Sequence, residues 1–122
     1  MRDFRKYDVW MLAVEFATDI YTISNQFPSF EKYALSSQLC RAAVSISSNI
    51  AEGAARSSEI EFCRFLEFAL GSTFEVETQL LIANNLEYID TDTFNTLIQK
   101  TQTIERKINH LIQTIKRPIA NS

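Results

Sequence analysis

The residues best placed to do chemistry are Glu52, Arg56, Glu75 and Arg41, with Asn49 beside them in the stretch SISSNIAEGAARSS. Two carboxylates near a guanidinium are the parts of an acid–base site, one carboxyl giving a proton and the other taking it. The same groups also build structural ion-pair networks. Glu52 and Arg56 are four apart, so they share a face if a helix continues through Gly53. If Gly53 ends that helix, Arg56 swings into the turn and meets Glu75 or Glu77. Asn49 is polar inside an apolar run and is expected to satisfy a neighbouring helix end. Asn49, Glu52, Arg56 and Glu75 are therefore read as a structural network at a helix junction, with no catalytic residue assigned.

Other chemistry finds little support. No G-x-x-x-x-G-K-[ST], G-x-S-x-G or H-E-x-x-H motif occurs. A di-iron bundle needs Glu-x-x-His pairs, but Lys107 stands three positions before the lone His110. Cys40 and Cys63 lack C-x-x-C spacing and sit in apolar helical patterns, as buried reduced thiols do. A metal needs more ligands than these supply. Glu59, Glu61 and Glu67 read as a solvated face. The expectation is a protein that is not an enzyme, with no cofactor, metal or small-molecule substrate.

The elements that position these residues are helical. The 122 residues suit one domain, 46% apolar and 22% charged, and only two Gly and two Pro disfavour an all-β fold. The net charge of −3 argues against a dedicated nucleic-acid binder without excluding a local basic patch. The charged N-terminus lacks a leader's apolar stretch, and no apolar run approaches the roughly 18 residues of a membrane span. A cytoplasmic location is expected.

Periodicity marks four helices, at about 8–25, 31–54, 58–87 and 91–117. In the first, Val9, Leu12, Phe16, Ile20 and Ile23 share a face, Asp8 is expected to cap the start, and Pro28 follows the end. In the second, Leu35, Leu39, Ala42, Ile46 and Ile50 form the stripe, and Gly53 offers a stop. Ser58 and Glu61 open the third as a capping box. Its seam, Phe62, Leu66, Ala69, Thr73, Val76, Leu80 and Ala83, keeps a heptad rhythm. The fourth starts near Asp90 or Asp92, and Phe94, Leu97, Ile98, Thr101, Ile104, Ile108, Leu111, Ile112 and Ile115 mark its face, with Pro118 expected to close it. Short connections imply an antiparallel up-down-up-down four-helix bundle as a single domain.

Two features exceed what one bundle needs. Four of the nine phenylalanines, Phe62, Phe65, Phe68 and Phe74, spread around the third helix, so one seam cannot bury them all. Exposed aromatic patches are an aggregation liability, which makes a homo-oligomer the economical expectation. Small residues also recur. Ala51, Gly53, Gly71 and Ser72 are read as the places where helices two and three approach closely, since a mid-helix Gly costs about 1 kcal/mol without a packing reason. On that reading Gly71→Leu overpacks the bundle. Arg56→Ala destabilises it if Arg56 neutralises a buried Glu.

The string from Gln38 to Ile46, then Asn49-Ile50-Ala51-Glu52-Gly53 and Arg56, followed by Phe62, Phe65-Leu66, Ala69, Gly71-Ser72 and Glu75, resembles a known signature. It is similar to that of the small four-helix-bundle proteins encoded in intervening sequences of bacterial 23S rRNA genes. Trp10 and Phe27-Pro28 extend the resemblance over nearly the whole chain. It implies a ring-shaped homopentamer. A relative, the accessory variability protein of diversity-generating retroelements, binds nucleic acid and a reverse transcriptase through a basic surface. Cys40 stands where relatives often carry a second basic residue, and Ser47 where many have Pro. Two functions are thus expected in order: a non-enzymatic oligomeric scaffold whose partners are its own copies and an RNA or protein, or an RNA-binding accessory protein. For the second, the contacts implied are Arg41, Arg56, Arg64, Lys107, Lys116 and Arg117.

Overall fold

The structure, a computed structural model, describes the backbone of residues 2–121 and the side chains of residues 2–117. Four helices follow one another: α1 Asp8–Ser24, α2 Leu35–Ala54, α3 Glu59–Asn85 and α4 Thr91–Asn121. Short 3-10 turns precede α1 at Phe4–Lys6 and α2 at Ser29–Glu31. No strand occurs among the described residues.

Cross-links fix the directions. Asp8 meets Lys107 and Asp19 meets Lys100, so α1 and α4 run oppositely. Ser45 meets Ser72 and Gln38 meets Gln79, so α2 and α3 do too. Helix α3 packs on α2 and α4, α2 packs on α1, and α1 touches α4 more sparsely to close the square. The interior is filled by the predicted seam. Phe62, Leu66, Ala69, Thr73, Val76, Leu80 and Ala83 of α3 are all buried. So are Leu39, Ile46 and Ile50 of α2 and Ile104, Ile108 and Ile112 of α4.

The helix ends show which local signals act. The Ser58 hydroxyl accepts from the Glu61 amide at 3.1 Å, and Asp90 Oδ1 accepts from the Thr93 amide at 2.7 Å. That bond draws the Asp90 carboxyl below its usual range. Four expectations need correction. Asp8 does not cap α1; Tyr7 takes that position, and Asp8 lies one residue inside and pairs with Lys107. Helix α2 starts at Leu35, because Ser29–Glu31 form a 3-10 turn and the Glu31 carboxylate accepts from the Leu35 amide at 3.3 Å. Gly53 lies within α2 in helical backbone, and the stop comes after Ala54. Pro118 does not close α4, whose helical backbone runs on to Asn121.

Candidate functional site

The conspicuous surface lies along α2 and α3, where the small residues and the phenylalanines meet. Gly53 is buried, and a Cβ there would stand 2.6 Å from Phe65 Cβ and 3.1 Å from Phe62 Cδ1. Real Cβ contacts are not that short, so α2 and α3 approach each other over this glycine. Ala51, two residues before Gly53, is half-buried. Further along, Ser72 Oγ donates to Ser45 Oγ at 3.1 Å, and Asn49 Nδ2 donates to Ser45 Oγ at 2.9 Å and to the Ser45 carbonyl at 2.8 Å. The Ser72–Ser45 hydroxyl pair joins the two helices, and Asn49 holds Ser45 in place from within α2.

Gly71 is different, and the sequence expectation for it is overturned. It is exposed, and a Cβ there would meet nothing within 4 Å. One residue is a rotation of roughly 100° on a helix. That turn puts Ser72 in the seam and Gly71 outside. Phe68 and Phe74, three residues to either side of Gly71, are 52% and 50% exposed, and Leu81 is 50% exposed. Residues three and four apart share a helix face. The four positions make one outward apolar stripe with a notch at its centre. Phe62 is buried and Phe65 half-buried, so the four rings divide evenly between inside and outside.

The predicted ion-pair network does not assemble. Arg56 is exposed and stacks over the Phe65 ring at 4.6 Å. Glu75 accepts from Gln79 Nε2 at 3.1 Å, Asn49 serves Ser45, and Glu52 is exposed. The turn between α2 and α3 is held instead by Arg2. Its guanidinium pairs with Glu59, donates to the Arg56 carbonyl at 2.6 Å and the Ala54 carbonyl at 3.3 Å, and lies over the Phe62 ring at 4.7 Å. Nothing in the spacing of the sequence announces that role.

The cations expected to meet nucleic acid are also dispersed. Lys107 pairs with Asp8 at 2.6 Å and Lys116 with Glu67 at 3.2 Å. The Lys107 contact holds the Asp8 carboxyl below its usual range. Arg64, Lys116 and Arg117 belong to the end of the bundle where α3 starts, whereas Arg41 belongs to the opposite end. Both cysteines are free and buried, and burial pushes the Cys63 thiol up, away from reactivity. No group of three or more His, Cys, Asp or Glu is placed to hold a metal ion among the described residues.

One pair of titratable groups escapes the sequence reading. Glu105 on α4 lies against Glu77 on α3 at their shared interface. Burial raises its carboxyl first, the Glu77 charge and a carboxyl–carboxylate hydrogen bond second, and the result is about 7. Glu105 Oε2 is sealed and lacks a donor, while Thr101 Oγ1 donates to Glu77 Oε1 at 3.2 Å. Two carboxyls so placed cannot both ionise cheaply and share a proton. Glu105 sits between Ile104 and Ile108 in an otherwise ordinary amphipathic pattern, and no motif links it to Glu77.

The sequence model of the family described as 23S rRNA-intervening sequence protein matches residues 5–110, covering all but the two ends of the bundle. The chain belongs to that family. The crystal structure of a family member from Bacteroides thetaiotaomicron, described as a protein of unknown function from the S23 ribosomal protein family, superposes with a TM-score of 0.80 at 25% identity. The match covers 86% of this chain and 98% of that one. No curated protein matches the chain.

Proposed function

We propose that this family member is a non-enzymatic interaction protein that works as a homo-oligomer. The outward stripe of α3 supports the reading. Phe68, Phe74 and Leu81 are each about half exposed around a glycine with open space above it. Gly71 weakens α3 by about 1 kcal/mol relative to Ala and relieves no contact within the chain. A second helix laid across the notch makes use of it, because the missing side chain lets the backbones approach while the flanking rings close over the crossing. The family resemblance implies a ring of five copies, in which the α3 stripe of one copy packs on a different face of the next.

Light scattering coupled to size exclusion tests this directly. The expected mass is a multiple of the 14.0 kDa chain, about 70 kDa for five copies. Phe74→Glu is expected to lower it to one copy while leaving the helical circular dichroism intact. A single-chain mass at every concentration overturns the proposal.

A further inference from the structure

Where α1 gives way to α2, a groove of about 480 Å³ opens, lined among others by Tyr21, Lys32, Tyr33, Ser37 and Arg41. Its lining holds two cations and neither Asp nor Glu, in a chain of net charge −3. Among the described residues, five of the chain's 12 Lys and Arg residues pair with a carboxylate, and Lys32 and Arg41 are among those that do not. With no Asp or Glu in its lining, the groove is a positive spot on an acidic protein. Its rings are equally unspent. Tyr33 is 87% exposed and Tyr21 51% exposed. The Lys32 ammonium stands 5.4 Å from the Tyr33 ring centroid, which sets one charge beside one π face.

We propose that this groove binds a short single-stranded segment of nucleic acid. Bases stack on Tyr33 and Tyr21, Lys32 and Arg41 take the phosphates, and the Ser37 hydroxyl is available to the sugar. Stacking platforms beside cations are what a single strand offers partners for, since every base has a π face and every linkage a charge. A duplex keeps its bases stacked on each other and leaves both rings idle. A phosphopeptide would use the cations and leave the rings idle. Two rings and two cations exceed what one free nucleotide engages. The site lies at the end of the bundle opposite Arg64 and Arg117, and it does not depend on self-association through α3.

Anisotropy of short labelled oligo-A and oligo-U RNA, titrated with the full chain at low and moderate salt, is the test. Binding is expected to weaken as salt rises. Tyr33→Ala and Tyr21→Ala should each cost about tenfold, within the range for loss of one base stack. Lys32→Gln with Arg41→Gln should reduce the salt slope by about 1.4, the value for two single-strand phosphate contacts. Arg64→Gln with Arg117→Gln is the control and should leave affinity unchanged. All these side chains are exposed, so unaltered thermal melts are expected to accompany every variant. Four results overturn the proposal: no binding at low salt, tyrosine variants that bind like the parent, a control pair that costs as much as the groove pair, or equal affinity for duplex RNA. Tighter binding of a free mononucleotide than of the oligomers would overturn it in favour of a pocket for one nucleotide.

Discussion

Gly53 and Gly71 are the chain's two glycines, both inside helices, and they do opposite things. At Gly53 the absent side chain is filled by the chain's own Phe62 and Phe65. At Gly71 the space stays open, between rings that are half in water. The first glycine is explained by folding. The second is a cost to folding that no contact within the chain offsets. The same residue type in the same kind of element therefore marks an internal contact in one place and, on the proposed reading, an external one in the other.

The largest expected effect comes from placing one side chain at both positions. Gly53→Leu drives a branched group into Phe65 Cβ and should destabilise the bundle by about 3 kcal/mol, seen as a large drop in melting temperature. Gly71→Leu should leave the chain folded and fully helical, because leucine gains about 1 kcal/mol of helix propensity over glycine. Its effect should be loss of the assembled mass. This reverses the expectation, drawn from sequence, that Gly71→Leu breaks the bundle. Unfolding of Gly71→Leu would erase the contrast between the glycines. A Gly71→Leu protein of parental mass would remove the α3 stripe from the interface.

The carboxyl pair gives the next effect. Glu105 is raised from 4.5 to about 7. A carboxyl raised by folding contributes stability that is complete below about pH 4.5 and is lost as pH climbs through about 7. Melting temperature should therefore fall between pH 5 and pH 8. Glu105→Gln, which mimics the protonated group, should match the parent near pH 5 and exceed it at pH 8 by about 1–2 kcal/mol after solvent screening. Glu77 lies three residues from Phe74 and four from Leu81, so it borders the outward stripe. A copy seated there deepens the burial, and the pH dependence should steepen with protein concentration. A flat profile in the parent would show that the pair is solvated.

Arg56→Ala should do least. Its side chain covers one face of Phe65 in the open and neutralises no buried charge. About 0.5–1 kcal/mol is expected, the worth of an exposed cation–π contact. A loss several times larger would restore the ion-pair network that the sequence suggests.

The α3 seam is legible in the sequence because a heptad rhythm over Phe62–Ala83 leaves little choice of inward face. Ser58 is legible because a cap acts within one turn. The surplus of rings on α3 can be counted from the sequence alone, and the packed bundle puts Phe68 and Phe74 outside. Gly71 misleads because it neighbours Ser72, and a single residue is enough to turn from seam to surface. Asn49, Glu52, Arg56 and Glu75 form a group by spacing along the chain, but charged ends of long side chains settle on whatever partner the packed helices bring near. Arg2 reaches the α2–α3 turn from more than fifty positions away in the chain, which no local pattern records.

Periodicity, caps and composition by themselves determined that this chain makes four amphipathic helices with more apolar surface than they can enclose. Those signals are local, set by hydrogen bonds and side-chain spacing within a few residues. Which glycine is closed and which is open, which carboxyls share a proton, and which cations stand without a partner were decided only when the helices packed. Such facts depend on the rotation of each helix about its axis, and that rotation is set by the fit of the whole core.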